Sequence, residues 1–298
     1  FLITLFFFKE PQIQNNKVSL GKNIAQAFYN IWVTLKNWRY VLFLLIMVVF
    51  WAAFNQLYYS FPVFIEQWVD SSEIYKGIES VWPWLAHSIG TAEGTITTVT
   101  LTSMDSFFII VFQIAVSALV MRFKPLSAMM GGILVLSGGL MMMFSTQSGW
   151  MILLGILIFG LGEMSSSPKF TEYVGRIAPP DKKALYMGTS FLPYAGGHAL
   201  AGWLSGDIYE KTSDKIYLLQ KEIAKRGISL PEISETYSKN DFFNEAAAKM
   251  VMTKQELTNF IWAEYHPSNI WLVYSGVAVL SVVLLFVYDR FILRRQQN

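Results

Sequence analysis

One carboxyl group stands where a charged side chain is costly. Glu163 lies 13 residues after Trp150 in a stretch without Lys or Arg, so it is about 20 Å along a helix that rises about 1.5 Å per residue. A charge at mid-membrane costs at least about 2.5–3.5 kcal/mol. We therefore expect Glu163 to face a water-filled cavity and bind a proton or a cationic group. The structural alternative is a protonated Glu163 hydrogen-bonded to a neighbouring helix.

Further polar side chains in apolar stretches extend this candidate site. Trp51, Asn55 and Tyr59 recur every four residues, so they share a helix face that either lines an aqueous path or holds helices together. Asp105 either caps the start of its helix or belongs to the substrate site, and a neutral His198 can be satisfied by backbone or water. The candidate substrate-binding residues are Glu163, Trp51, Asn55, Gln56, Tyr59, Asp105, Ser167 and His198.

The sequence favours no catalytic or metal site. No Walker loop, Gly-x-Ser-x-Gly elbow or His-Glu-x-x-His motif occurs, and the chain has no cysteine and three histidines. No second His, Asp or Glu lies near His198 in the sequence at metal-ligand spacing. The net charge of +2 is too small to indicate binding to nucleic acid. We therefore expect a protein that is not an enzyme and that uses no cofactor.

The elements that position these residues are membrane helices. The 298 residues are 53% hydrophobic and 15% charged, whereas about a quarter of a soluble domain is charged. Six long apolar segments lack Lys and Arg, and uninterrupted apolar runs of this kind cross membranes as helices. They predict an all-α integral membrane protein. The segments are about 40–65, 103–121, 126–145, 150–168, 185–206 and 269–288.

Basic residues predict the orientation of the chain. They concentrate in the connections 9–39, 122–124 and 169–183 and in the tail 290–295, which by the positive-inside rule face the cytoplasm together with both chain ends. In 9–39, apolar residues at helical spacing predict an amphipathic helix that either lies on the membrane surface or packs on the bundle.

The predicted organisation has five parts. An apolar string too short to span a bilayer opens the chain and is interpreted as the end of a truncated membrane helix. The long polar segment before the last span is predicted to be extracytoplasmic and to contain two helices, near Asp214–Arg226 and Asp241–Glu264. The parts are 1–8, the helix remnant; 9–39, the cytoplasmic connector; 40–206, five transmembrane helices; 207–268, the helical insertion; and 269–298, the last span and its basic tail.

Two stretches resemble a known family. Phe50-Trp-Ala-Ala-Phe-Asn-Gln56 resembles the Phe-Trp-x-x-x-x-Gln signature in the seventh helix of proton-dependent oligopeptide transporters. Gly160-Leu-Gly-Glu-Met-Ser-Ser-Ser-Pro168 is similar to the Gly-Glu and Ser-Pro pattern of that family's tenth helix. Their order resembles the C-terminal half of this branch of the major facilitator superfamily, over roughly 40–206 and 269–298.

The resemblance implies a function for the whole protein. It implies a six-helix C-terminal bundle of a proton-coupled secondary transporter that imports di- or tripeptides by alternating access through the cytoplasmic or inner membrane. Glu163 takes the family position that contacts the substrate amino terminus and is expected to couple the proton, while Trp51 and Gln56 match family positions. The implied partners are a small peptide or other polar solute, the lipid bilayer, and the missing N-terminal half with its Glu-x-x-Glu-Arg motif.

The chain also departs from the family pattern. Asp105-Ser106 stands where the family commonly has Asn-Pro, so a substrate-binding Asn is replaced by an acid. Lys169-Phe170 follows Pro168 in place of small or aliphatic residues. Two alternatives therefore stay open: a facilitator for another small solute, such as an amino acid, nucleoside, sugar or drug, and a non-transporting membrane scaffold.

Overall fold

Long apolar helices dominate the computed structural model, which describes residues 20–293. In that part of the chain there are isolated bridges but no strand, so the protein is an all-α, multi-pass membrane protein. The predicted helix remnant, 1–8, and the end of the basic tail, 294–298, lie outside the described residues. The stretches long and apolar enough to cross a membrane are Trp38–Trp68, Thr98–Val120, Pro125–Phe144, Gly149–Ile177 and Pro267–Ile292.

The amphipathic helix predicted in the connector is α1, Leu20–Leu35. Its aromatic side chains at Phe28 and Trp32 are exposed, whereas Thr34 is fully buried. The helix contacts the short helix that begins at Lys183. One side of α1 therefore packs on the bundle, while the other presents aromatic rings, the residue type that membrane interfaces favour.

The first span consists of three consecutive helices. These are α2, Trp38–Phe54, α3, Gln56–Tyr59, and α4, Phe61–Trp68. Pro62 has no N–H group and cannot extend the hydrogen-bond ladder of α3, so a new helix starts after Ser60. Asn55 and Tyr59 were predicted to share one helix face, and because of this interruption their side chains lie in different surroundings.

Two short helices and a hairpin of long helices follow. The next elements are α5, Ser72–Val81, α6, Pro83–Ile89, α7, Thr98–Val120, α8, Pro125–Phe144, and α9, Gly149–Ile177. Helices α8 and α9 touch backbone to backbone. A Cβ atom added at Gly132 would lie 2.8 Å from the Gly162 carbonyl oxygen, and one at Gly139 would lie 2.5 Å from the Phe159 nitrogen. Small residues permit this close approach between membrane helices.

The predicted fifth membrane helix, 185–206, is not a continuous span. The structure divides it into α10, Lys183–Thr189, and α11, Leu192–Trp203, followed by a wide helical turn, Leu204–Ile208. The break has a covalent cause, because Pro193 cannot donate a backbone hydrogen bond and occupies the first turn of a new helix. Helix α11 still packs closely on α2, where Gly197 lies against Trp51.

The segment 207–268 contains more helices than the two that were predicted. They are α12, Tyr209–Ser213, α13, Lys215–Arg226, α14, Lys239–Lys249, and α15, Lys254–Tyr265. The helix expected to run through to Glu264 is split because Val251 adopts a positive φ of 56°. The Thr253–Glu256 capping box then starts α15.

A buried carboxylate joins two of these outer helices. Glu222 on α13 accepts hydrogen bonds from Arg226 Nε at 2.5 Å and from Tyr265 Oη of α15 at 2.8 Å. These donors hold the pKa of Glu222 below its ordinary value although burial acts to raise it. The Tyr265 bond thus fixes α13 against α15, while the Arg226 bond lies within α13.

The last span closes the bundle against α8. It contains α16, Ile270–Val287, between a short 3-10 turn, Pro267–Asn269, and a wide turn, Tyr288–Leu293. Ser137 Oγ donates to the Ser275 carbonyl at 3.2 Å, and Ser275 Oγ donates to the Ser137 carbonyl at 2.9 Å. Reciprocal serine bonds of this kind hold membrane helices together.

Substitution of Gly139 by alanine should weaken the α8–α9 contact. Gly139→Ala places its Cβ 2.5 Å from Phe159 N, so we expect a loss of about 1–3 kcal/mol from overpacking. Gly138→Ala is the matched control, since nothing lies within 4 Å of a Cβ there. Thermal unfolding of the solubilised protein measures both variants, and equal midpoints would contradict the packing described.

Candidate functional site

Asp105 lies inside its helix and does not cap it. Thr97 caps α7, accepting a hydrogen bond from Thr100 N, and Asp105 follows two turns later with 2% of its surface exposed. The predicted capping role was therefore wrong, because α7 begins at Thr98 rather than near 103. Asp105 is instead a buried carboxyl group within a membrane-spanning helix.

Asp105 meets Glu163 of α9. The two carboxyl groups are close enough to interact with each other. Gly160, one turn before Glu163, makes room for this approach, since a Cβ there would come within 3.0 Å of Asp105 Oδ1. The structure thus brings together the two acids that the sequence singled out.

The pair needs a proton of its own. Oδ1 of Asp105 and Oε2 of Glu163 are buried and receive no hydrogen from an N–H or O–H group of the described chain. None of the ion pairs among the described residues involves either acid. Two carboxyl groups can share a hydrogen bond only when one is protonated. This arrangement can therefore hold one proton between two helices.

Two tyrosines that the sequence did not select interact with the pair. Tyr58 of α3 interacts electrostatically with both Asp105 and Glu163, and Tyr194 of α11 with Glu163. Tyr58 follows Asn55 by three residues, and its position depends on the short helix α3. No motif in the sequence indicates Tyr194; the break before α11 brings it close.

Trp51 connects this group of residues to the first span. Its ring stacks on Tyr194 with 3.8 Å between the centroids. Trp51 Nε1 and Asn55 Nδ2 are buried and have no hydrogen-bond partner in the described chain, and the same holds for Ser167 Oγ, one turn after Glu163. Unpaired buried polar atoms are uncommon, and water or a bound ligand can satisfy them. These three predicted residues keep free hydrogen-bonding capacity.

Gln56, in contrast, is fully used by the protein. Its Nε2 donates to the Ala52 carbonyl at 2.9 Å and to the Ala201 carbonyl at 3.4 Å. Its Oε1 accepts from Ser60 Oγ at 2.7 Å, and Ser60 in turn pairs with Tyr274 Oη at 2.6 Å. The structure therefore places this predicted substrate-binding residue in a network that joins the first span, α11 and α16.

Tyr59 and His198 form a second pair. Tyr59 Oη lies 3.3 Å from His198 Nδ1, and both side chains are exposed. The pair bridges α3 and α11. Tyr59 does not share the buried surroundings of Trp51 and Asn55, because the helix is interrupted between them.

The comparisons with known proteins add no further identity. No family model matches the sequence, and neither the curated proteins nor the solved structures give a match. The residues described by the structure contain no group of three or more His, Cys, Asp or Glu side chains able to hold a metal ion. The class that the fold defines is a multi-pass α-helical membrane protein with a buried acid pair.

Replacing Gln56 should reduce stability. Gln56→Leu leaves the Ala201 carbonyl without its side-chain donor and Ser60 with Tyr274 as its remaining side-chain partner, and a buried polar group left unsatisfied costs about 1–3 kcal/mol. Gln113→Leu is the matched control, because Gln113 bonds only to Ser117 within α7 in the described chain. Unfolding of the solubilised protein tests both. If Gln56→Leu is as stable as the unchanged protein, the Gln56 network is not a structural one.

Proposed function

We propose that the chain is the C-terminal half of a proton-coupled secondary transporter that imports di- or tripeptides by alternating access. The observation that carries the proposal is the buried Asp105–Glu163 pair. Ionisable side chains inside a membrane are expensive and mark ion or substrate pathways. The resemblance of the stretches around Trp51 and Glu163 to oligopeptide transporters supports the choice of substrate.

Two neighbouring acids can couple the binding of a proton to the binding of an ammonium group, which a single acid cannot do. A single carboxylate binds either a proton or an ammonium group, so the two compete. Two neighbouring carboxyl groups hold a proton on one member and an ammonium group on the other at the same time. Simultaneous binding is what a symporter requires, provided that the two states of the protein bind the loaded pair with unequal affinity.

The surrounding side chains match the other end of a peptide. The unpaired N–H groups of Trp51 and Asn55 can donate hydrogen bonds to a carboxylate or a peptide carbonyl. The rings of Trp51 and Tyr194 stack on each other, and Tyr194 interacts electrostatically with Glu163; aromatic faces of this kind attract an ammonium group. A zwitterionic peptide therefore finds complementary groups for both its termini.

In this proposal, a second, N-terminal half of the protein forms the other side of the transport pathway. Helix α7 carries Asp105, yet the surface around it is apolar and exposed, with Phe107 53% and Ile110 79% accessible. The family resemblance implies two six-helix halves that rock around a midplane site. The missing N-terminal half would close the pathway over the acid pair, and lipid would cover the remaining apolar surface.

A second candidate keeps the mechanism and changes the solute. Asp105 supplies an acid where the resembling family has an amide-bearing Asn, and an additional negative charge favours a more cationic solute than a neutral peptide. Competition separates the two candidates. A dipeptide should suppress proton-driven uptake under the first, whereas a cationic amine without a peptide bond should do so under the second.

Glu163→Gln in the full-length protein should reduce peptide uptake by about tenfold or more, because a hydrogen bond to a charged group contributes about 1.5–3 kcal/mol. Expression and folding should be unaffected, since the amide keeps the shape of the side chain. Uptake of a labelled dipeptide into proteoliposomes with a proton gradient measures the effect. The control is Asp181→Asn, an exposed acid in a connection. Unchanged uptake in Glu163→Gln would remove Glu163 from the mechanism.

In Asp105→Asn, the proton and the ammonium group should compete for one carboxyl group instead of binding at the same time. With one acid left, proton and ammonium contend for Glu163, so gradient-driven accumulation should be lost. Exchange of labelled for unlabelled peptide should continue and be inhibited as the pH falls. Counterflow in proteoliposomes over a pH series measures this. Accumulation equal to that of the unchanged protein would show that the second acid is not required.

A further inference from the structure

A cavity of about 580 Å³ lies beside the polar end of the first span. Its walls come from the last turns of α4 and from the first residues of the three longer outer helices. Lys215, Lys239 and Lys254 all line the cavity, and each is the first residue of its helix. Three helices of the insertion therefore direct a lysine towards one space.

Lys215 is the most enclosed of these cations. Its Nζ atom lies 5.1 Å from the ring centroids of both Trp68 and Phe243 and donates to Thr258 Oγ1 at 3.1 Å. No carboxylate forms an ion pair with it among the residues that the structure describes. Burial lowers the pKa of Lys215 to about 8, since an enclosed cation without a counter-ion is costly.

The two acids that line the cavity do not balance the charge of its three lysines. Asp214 is engaged as the cap of α13, where it accepts from Tyr217 N at 2.9 Å and from Gln67 Nε2 at 2.7 Å. Glu66 is exposed at the edge. With Lys215, Lys239 and Lys254 as the cations, the lining carries one positive charge in excess. The matching ligand is a monoanion.

The rest of the lining narrows the class of ligand. The side-chain amides of Asn240, Asn244 and Gln255 line the same cavity and can bond to hydroxyl groups. The volume suits a small organic molecule better than a bare inorganic ion. The cavity borders α4, at the end of a membrane span, where lipid headgroups lie.

We propose that this cavity binds a phosphodiester that carries a hydroxylated substituent, either on a phospholipid headgroup or free in solution. Lys215 contacts a phosphate oxygen from the enclosed side, Lys239 and Lys254 contact it from the rim, and the amides bind the hydroxyl groups. Lysine is a common phosphate ligand because its ammonium acts as a point charge. The site is independent of the proposed transport, since binding is measured without a gradient.

The test uses the purified full chain in a neutral detergent and two probes. Glycerophosphoglycerol represents the free diester, and phosphatidylglycerol in mixed micelles represents the lipid. Calorimetric titration should give saturable binding of one or both. Binding of both assigns the site to the headgroup chemistry itself, and binding of the lipid alone assigns it to a membrane lipid. Absence of saturable binding for both probes overturns the proposal.

Lysine variants locate the binding. Lys215→Gln should raise the dissociation constant at least about tenfold, as expected when a charged hydrogen bond is lost. Lys211→Gln, an exposed lysine on α12, removes the same charge outside the cavity and should change it less than about twofold. Lys254 is exposed at the rim of the cavity, and Lys254→Gln should weaken binding about threefold. This variant tests the site if Lys215→Gln does not fold. Equal binding by Lys254→Gln and Lys211→Gln, or by a folded Lys215→Gln, refutes the site.

The pH dependence identifies Lys215 separately. A bound anion favours the charged lysine, so affinity is constant below the pKa of about 8 and falls as the pH rises above it. The fall is up to about tenfold per pH unit. A diester lacks the second ionisation of a phosphate monoester, so the change reports on the protein. Lys215→Gln should abolish it, and a pH profile identical in that variant refutes the assignment.

Discussion

Two carboxyl groups facing each other inside membrane-spanning helices are the constraint on which the architecture depends. An ionised acid in hydrocarbon is costly, and a proton shared between Asp105 and Glu163 reduces that cost. Neighbouring residues accommodate this pair. Gly160 lets α7 approach α9, Tyr58 and Tyr194 interact electrostatically with the pair, and α11 restarts where Tyr194 interacts with Glu163.

The remainder of the bundle supplies the rigidity that a paired site demands. Glycines remove side chains between α8 and α9, while hydroxyl groups join α8 to α16 through Ser137 and Ser275. Gln56 joins the first span to α11 through the Ala201 carbonyl. These contacts are polar or backbone-to-backbone because apolar attraction between helices is weak when the surrounding lipid is equally apolar.

The sequence predicted the membrane spans better than their interruptions. Apolar runs without lysine or arginine located five spans, and the depth of Glu163 in one of them identified an expensive acid. Hydropathy does not report local breaks, so the proline restart at Pro193 and the positive φ of Val251 were missed. Asp105 was interpreted as a possible cap because the start of α7 was placed too late. Gln56 matched a motif, yet which bonds it makes depends on α11 and α16, which no local pattern reveals.

The glycine seam between α8 and α9 has a mechanical consequence. Because the backbones of α8 and α9 touch, sliding one helix along the other would bring their backbone atoms into collision. The two helices therefore behave as one rigid unit, which carries Glu163. Helix α7, in contrast, contains no glycine and exposes most of its surface within the described chain, so this chain holds it less tightly than it holds α8 and α9. A motion that separates Asp105 from Glu163 is then a displacement of α7 relative to the α8–α9 unit. In such a motion the distance between spin labels on α8 and α9 would stay constant, while the distance from either label to one on α7 would change.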